Sequence, residues 1–567
     1  MNKRFLLVLL LLASRYCFAF DFSAVCETGQ TLYYEIVEGT NKVNIVAPDY
    51  GYDGYEKPSG NIILPSTVGF EGRTYTVVAI SGSAFAFCSG LTGSLTIPNT
   101  IETISYDAFY MCSGLSGALV LNEGLVEIGT SAFDGCSGLT GTLVLPQTLR
   151  YISSDAFAEC SGFTGDLVIP NSVASVGSYA FVRCSGFDGH LTLSESLYSI
   201  EDGTFYKCSG LTGDLVIPDA VNRIEKNAFA NCSAFDGELV LPESLGYISQ
   251  SAFEGCSGLK GDLHLPETLR YVSTSAFENC SGFTGSLHLP SKMTSVSSYA
   301  FRGCTGFTGD LVFPETMQTI GSYAFCNCSG LSGRLVFPAS LEHIEKYAFD
   351  SCGIFTELIV QSLTPPVADD AAFEGLQVDL SVHVNCGCAA FYRIMPQWKN
   401  FTNYFEDFIF AFSVRPDAPE LGNVVCSHAP DCDDNRAIME AFPAQGQRFY
   451  FWTRNGEIIS LNPKLVITVD GNAEFVAHFS EFSVDESESC SFSVFPNPVS
   501  DKFTVKGENI SRIDLYDMTG KRVKSVYANS ESNCVGVDVE GFDKGIYCVS
   551  VISENGKMVA VKKVVID

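Results

Sequence analysis

Twelve phenylalanine–cysteine pairs on a fixed step limit what this chain can fold into more than any other feature. The cysteines are Cys88, Cys112, Cys136, Cys160, Cys184, Cys208, Cys232, Cys256, Cys280, Cys304, Cys328 and Cys352, each 24 residues from the next. A phenylalanine stands three residues before each, from Phe85 to Phe349. The unit reads L-x-G-x-L-x-L-P-x-x-L-x-x-I-x-x-x-A-F-x-x-C-S-G, and one copy opens Leu91-Thr92-Gly93-Ser94-Leu95-Thr96-Ile97-Pro98. A repeat of about 20–29 residues cannot bury its apolar face alone, so its copies must stack into a solenoid.

Each part of the unit has a local reading. Leu95 and Ile97 alternate with Ser94 and Thr96, the pattern of a half-buried strand. Pro98 stops that strand, and Ile101 and Ile104 carry the apolar face into the return path. Phe109 and Cys112 share one face of a single helical turn, which Ser113-Gly114 closes on a positive φ. With strands about 4.7–4.9 Å apart, twelve coils give a strand face about 55 Å long. The ladder cysteines read as small buried plugs. Each has two equivalent neighbours, so no pairing is specified, and the ladder lacks the clustered spacing of a metal site.

Outward positions form two rows. The row of Ser94 holds Asp166, Asp214, Glu238, Asp262 and Asp310, with His190 and Arg334. The row of Thr96 holds Val120, Val144, Val168, Val216, Val240, Val312 and Val336, with His264 and His288. An acidic row beside an apolar row suits an extended protein partner. The same pattern also serves a plain sheet, with valine as strand former and the acids for solubility.

The formal charge is −31, from 34 basic and 65 acidic residues. A nucleic-acid partner is disfavoured, because phosphate binding needs a basic patch. Residues 1–19 read as a secretory signal peptide: Lys3 and Arg4, then apolar Phe5–Ala13, then Cys17-Phe18-Ala19. That apolar run is about half of the ~20 residues a membrane span needs, and no other stretch is as long as a span. The expected state is exported and soluble, or attached to a surface by other means, with no transmembrane segment.

The Ala-Phe-x-x-Cys-Ser-Gly…Leu-x-Leu-Pro unit resembles the BspA-like leucine-rich repeats, over about residues 81–360. The resemblance implies a mostly β, right-handed solenoid of about twelve coils, each a strand plus a short helical turn. It also implies surface adhesion, without naming a ligand. The chain departs from the commonest version by one residue per coil, the glycine of Thr92-Gly93-Ser94. It also lacks the asparagine ladder of general leucine-rich repeats.

Flanking segments complete the expected organisation. Residues 20–80 form an N-terminal β cap, since a solenoid must cover its first coil. Gly353–Val360 is a shortened coil, and the solenoid with its C-terminal cap around Trp398 spans 81–405. The stretch Tyr392…Trp398-Lys399-Asn400-Phe401 resembles the closing segment of this repeat family. Residues 406–485 are a small β module with a hairpin signal at Asn455-Gly456, and Gly446–Phe482 resembles the InlB B-repeat type. Cys386, Cys388, Cys426 and Cys432 lie near His383 and His428. In an exported chain disulfides are preferred there over thiols or metal, without a readable connectivity.

Residues 486–567 read as a second β-sandwich-like domain. Residues 491–567 balance 10 basic against 10 acidic residues, so the negative excess lies before them. Pro496-Asn497-Pro498, Gly520, Gly545-x-Tyr547 and Lys562-Lys563 resemble the C-terminal sorting domain of type IX secretion cargo in Bacteroidetes. That likeness implies contact with secretion machinery and display on the outer surface of a Gram-negative cell.

No H-E-x-x-H, G-x-S-x-G or phosphate loop occurs, so no catalytic, cofactor or metal residue is assigned. The chain reads as a non-enzymatic surface binding protein, an adhesin whose outward strand face docks a protein or cell-surface ligand. The alternatives are a structural envelope protein, or an enzyme that uses the solenoid as receptor. The N-x-S triplets at Asn231, Asn279 and Asn327 fall in the tight turn and are not read as glycosylation sites.

Overall fold

A computed structural model describes residues 20–49, 52–407, 410, 412–481, 492–507, 510–517, 522–528, 534–553 and 558–566. The signal peptide expected at 1–19, Gly520, and the first residues of the tail lie outside them. The described chain falls into two compact units. One comprises residues up to 383 with 388–405, the other 384–387 with 406 onward.

The first unit is a β-solenoid of about 14 turns, two more than the cysteine-bearing repeats, because both caps contribute coils. Three ladders run along it. The first joins the Leu-x-Leu strands in parallel, Leu95 opposite Leu119 and Leu215 opposite Leu239. The second joins two-residue strands such as Thr103–Ile104, Glu127–Ile128 and Tyr151–Ile152. A register of 24 residues follows directly from the sequence period.

The third ladder corrects the expected helical turn. Among the described residues the Ala-Phe-x-x-Cys segments are not helical. Residues such as Asp107 (φ 52°) and Met111 (φ 58°) are left-handed, and this recurs coil after coil. Alternation makes successive N–H groups point in different directions. Ser83, Phe85 and Phe87 donate to Tyr106, Ala108 and Tyr110 of the next coil at 2.7–2.9 Å, while Ala86 and Cys88 donate back within their own coil. A helix would use its N–H groups internally and leave the stack of coils unbonded on this side; buried backbone groups must be paired. Asn231, Asn279 and Asn327 occupy this left-handed position, at φ 61–62°.

Gly114 is likewise not at positive φ. A Cβ there would strike the carbonyls of Ser89 and Leu91 in the preceding coil. The Ser-Gly corner therefore favours glycine for close approach, not for a left-handed turn, and Ala234 takes the same place in one coil.

The core is a stack. All twelve phenylalanines, Phe85 to Phe349, are fully buried. Consecutive rings lie 5.0–5.8 Å apart and within 15° of parallel. That is the offset stacking favoured by the aromatic quadrupole.

At the N-terminal end, Phe22–Val25, Thr31–Ile36 and Lys42–Val46 pair antiparallel. The last of these pairs in parallel with Arg73–Ile80, which starts the second ladder through Ile80 and Ile104. At the other end Trp398 is fully buried and its Nε1–H donates to the Pro366 carbonyl at 2.8 Å. Tyr392 donates to Ser362 O at 2.9 Å.

In the second unit, Phe412–Pro416, Ala473–Glu481, Gln447–Arg454 and Glu457–Ser460 form one sheet, and Gly422–His428, Arg436–Pro443 and Lys464–Thr468 another. Trp452, Met439 and Phe475 fill the space between them. Asn455 (φ 50°) and Gly456 (φ 85°) make the two-residue hairpin turn. The tail is a sandwich of Ser493–Phe495, Lys502–Lys506 and Cys534–Asp538 against Arg522–Tyr527, Ile510–Tyr516, Gly545–Ser553 and Met558–Ile566. Phe503, Val505, Ile513, Leu515, Val549 and Val564 form its core.

Candidate binding face and sorting tail

The first ladder places the valine row outward, as the alternation requires. Val120, Val144, Val168, Val216, Val240 and Val312 are 45–66% exposed. Val336 departs from the row: it is 9% exposed. Its partner in the next strand is Ile359 of the shortened coil. His264 and His288 stand exposed in the same row.

The acidic row has a structural duty that its sequence pattern does not reveal. Asp166 Oδ1 accepts the His190 N–H and Asp214 Oδ1 accepts that of Glu238, both at 2.8 Å. Asp310 Oδ1 accepts the Arg334 N–H at 2.7 Å, and its carboxylate also pairs with the guanidinium at 2.8 Å. The backbone bond from Arg334, and then its side chain, hold this carboxyl below the usual range. Each of these aspartates thus accepts a backbone N–H of the following coil. Glu238 and Asp262 lie exposed in the same row.

The additional glycine of each coil makes room for this. At Gly189, Gly237 and Gly333 a Cβ would collide with the Asp166, Asp214 and Asp310 carboxylates and the backbone beside them. At Gly165, Gly213, Gly261 and Gly309 the same repeat position instead takes φ between 77° and 81°. Both solutions require glycine.

The cysteine ladder is more than a column of plugs. From Cys112 to Cys352, each thiol donates to the carbonyl of the phenylalanine 27 residues before it, at 2.9–3.1 Å. Burial pushes Cys88, Cys136, Cys208 and Cys256 up to about 12. These thiols stay protonated and chemically quiet at neutral pH.

Of the four clustered cysteines, Cys386 and Cys432 form a disulfide. Cys388 remains a buried thiol and Cys426 an exposed one. No group of three or more metal-ligating side chains occurs among the described residues.

The tail gives its proline-rich opening a clear role. Asn497 Nδ2 donates to the Lys563 carbonyl at 2.8 Å and its Oδ1 accepts the Val565 N–H at 2.7 Å. One amide side chain thereby fastens the opening loop to the final strand. Pro496 and Pro498 flank it on the surface, and Lys563 is exposed while Lys562 is half-buried. Tyr547 is buried and donates to Asp543 O at 2.9 Å. Gly545 starts the strand that carries Tyr547.

A solenoid of self-bonded coils followed by a compact β tail defines a protein of the leucine-rich-repeat class. Residues 73–377 match the BspA type leucine-rich repeat region in six copies. Residues 493–567 match the secretion system C-terminal sorting domain. The chain belongs to the BspA-type leucine-rich repeat family. Among solved structures it resembles a leucine-rich repeat protein of Bacteroides ovatus, at 23% identity and TM-score 0.50, over 68% of this chain and 100% of that one. A leucine-rich cell surface protein of Faecalibacterium prausnitzii aligns at 24% identity and TM-score 0.42, over 60% and 95%. Among curated proteins it matches an ulvan lyase of Nonlabens ulvanivorans, 26% identical over 152 residues. That match takes in 25% of this chain and 28% of the lyase.

Proposed function

We propose that this chain is a non-catalytic adhesin, displayed on the outer cell surface through its tail and docking a protein partner along the first ladder. The observation that carries this reading is the row of six valines, each 45–66% exposed, at one repeat position of the stacked coils. Exposed apolar area repeated at coil spacing suits an extended partner better than a small ligand in a pocket. The acids beside the valines, Asp166, Asp214, Glu238, Asp262 and Asp310, would fix register and exclude acidic partners. The tail would engage the secretion machinery, and the module at 406–485 would act as a spacer.

The test is binding of the full chain to extracellular-matrix proteins and to epithelial and bacterial surfaces, with the variant Val168→Lys/Val216→Lys/Val240→Lys beside it. These exposed positions tolerate the change without unfolding. Saturable binding that drops at least tenfold in the folded variant is the expected result. Undiminished binding would remove this face, and no binding above an albumin control would favour a structural envelope role.

A further inference from the structure

The second ladder carries a surface that the valine face does not explain. In each coil, two outward positions precede the buried isoleucine or valine, as Arg150-Tyr151 precede Ile152. From Arg150-Tyr151 to Gln318-Thr319, eight coils in all, these positions hold three arginines, four tyrosines and no acid. In a chain with 65 acidic and 34 basic residues this is a marked local inversion of charge. The acids return at both ends of the ladder, as Glu102 and Glu127 before it and Glu342 after it. Within these coils acids lie in the preceding loop, as at Glu195 and Glu243, or one row past the stripe, as at Glu201 and Glu225.

The tyrosines are laid open. Tyr151, Tyr198, Tyr247 and Tyr271 are 52, 62, 49 and 39% exposed. Tyr247 and Tyr271 meet edge to face at 6.3 Å. Tyr151, Tyr198 and Tyr247 fall two coils apart, about 9–10 Å at the spacing of stacked strands. Arg150, Arg223 and Arg270 stand exposed among them. The Arg150 guanidinium makes a long bond to Ser172 O, at 3.5 Å, and that of Arg223 lies 3.7 Å from Glu225.

We infer that this stripe binds a linear acidic polysaccharide. Exposed aromatic rings on a rigid scaffold offer flat apolar faces at little entropic cost, and the apolar face of a sugar ring stacks on them. A two-coil step is comparable to a disaccharide in an extended chain, so successive tyrosines meet equivalent sugars. The arginine forks match carboxylate or sulfate groups. A one-dimensional array repeated along the stack of coils suits a repeating polymer.

The full chain is titrated with polygalacturonate and chondroitin sulfate, with uncharged dextran as control, at low and at physiological salt. Both acidic polymers bind and dextran does not. Tyr247→Ser/Tyr271→Ser weakens binding at least tenfold. Arg150→Gln/Arg223→Gln/Arg270→Gln removes the preference for acidic polymers. Unchanged circular dichroism and melting temperature of these surface variants establish that they fold. Binding of dextran as tight as that of the acidic chains, no binding of any polymer, or binding indifferent to both variants would overturn the inference. The variant with lysines at Val168, Val216 and Val240 leaves polysaccharide binding intact, so this surface and the valine face fail or stand separately.

Discussion

Cys232 tests whether the thiol ladder works as a row of donors or only as filler. Its Sγ donates to Phe205 O at 3.0 Å, and the same carbonyl already accepts the Cys208 N–H at 3.0 Å. Cys232→Ala removes one buried side-chain atom, about 0.8 kcal/mol by transfer, and leaves a small void, for about 1–2 kcal/mol in all. Phe205 O keeps its backbone donor, so no carbonyl is orphaned. Cys232→Ser restores a donor in nearly the same place. If the site were simply apolar, a buried unsatisfied hydroxyl would make serine worse than alanine by about 1–3 kcal/mol. With Phe205 O as acceptor, serine regains about 0.5–1.5 kcal/mol. The expected order is therefore serine at least as stable as alanine. Urea unfolding of the full chain, compared at matched slopes, gives the ranking. Hydrogen exchange of the Phe229–Cys232 turn gives the local cost, since solenoids open coil by coil. Substituting Cys208, Cys232 and Cys256 together enlarges the difference about threefold. A serine variant about 1 kcal/mol or more below the alanine variant would refute the donor reading.

Asp134 is pushed up to about 6 by burial first and then by Asp155, Glu159 and Asp107. A carboxyl whose folded value is raised stabilises the fold at low pH, and that stability is lost as pH rises through about 6. Asp134→Asn should thus add about 1 kcal/mol near pH 8, discounted for partial exposure, and little near pH 4, as pH-dependent melting would show. Gly237→Ala should cost about 1–3 kcal/mol by driving a methyl into the Asp214 carboxylate and backbone; a thermal melt equal to that of the parent would discount the close approach. Asn497→Ala should lower hydrogen-exchange protection of Met558–Ile566 by about 1–3 kcal/mol while leaving the solenoid unchanged.

The period of 24 made the stacking, the register and the buried phenylalanines legible, because a repeat forces equivalent residues into equivalent places. Alternation alone placed Val168 and Asp166 outward. Hydrogen bonds between coils were not legible. Phe109 and Cys112 are spaced as on a helix, but only the stack shows that the Asp107 and Met111 backbones must turn left-handed to bond the next coil. The same holds for Asp214: its carboxylate reads as solubilising until the Glu238 N–H is seen to need it. Val336 left the exposed row at the one place where the shortened coil, with Ile359, follows it. Among the four clustered cysteines the sequence favoured disulfides, and only the fold brought Cys386 to Cys432.

These inter-coil bonds also bear on where function lies. Phenylalanine, cysteine, the corner glycine and three of the outward aspartates each bond or pack to the neighbouring coil, and their recurrence is the solenoid's own requirement. Outward positions of the second ladder carry less of this duty: the two-residue strands bond through their backbones, and side-chain bonds to the next coil come from Asn222 to Ser244 O at 2.9 Å and from Arg150 to Ser172 O at 3.5 Å. The fold constrains these positions less than it constrains the cysteine and phenylalanine positions. The valine row repeats because a strand former suits every coil, whereas the tyrosines and arginines are confined to coils between Arg150 and Tyr271. Composition that changes where the fold is less demanding points to a ligand more directly than composition that repeats where the fold is demanding. On that ground the tyrosine–arginine stripe is the more informative surface, and the valine face depends more heavily on its binding test.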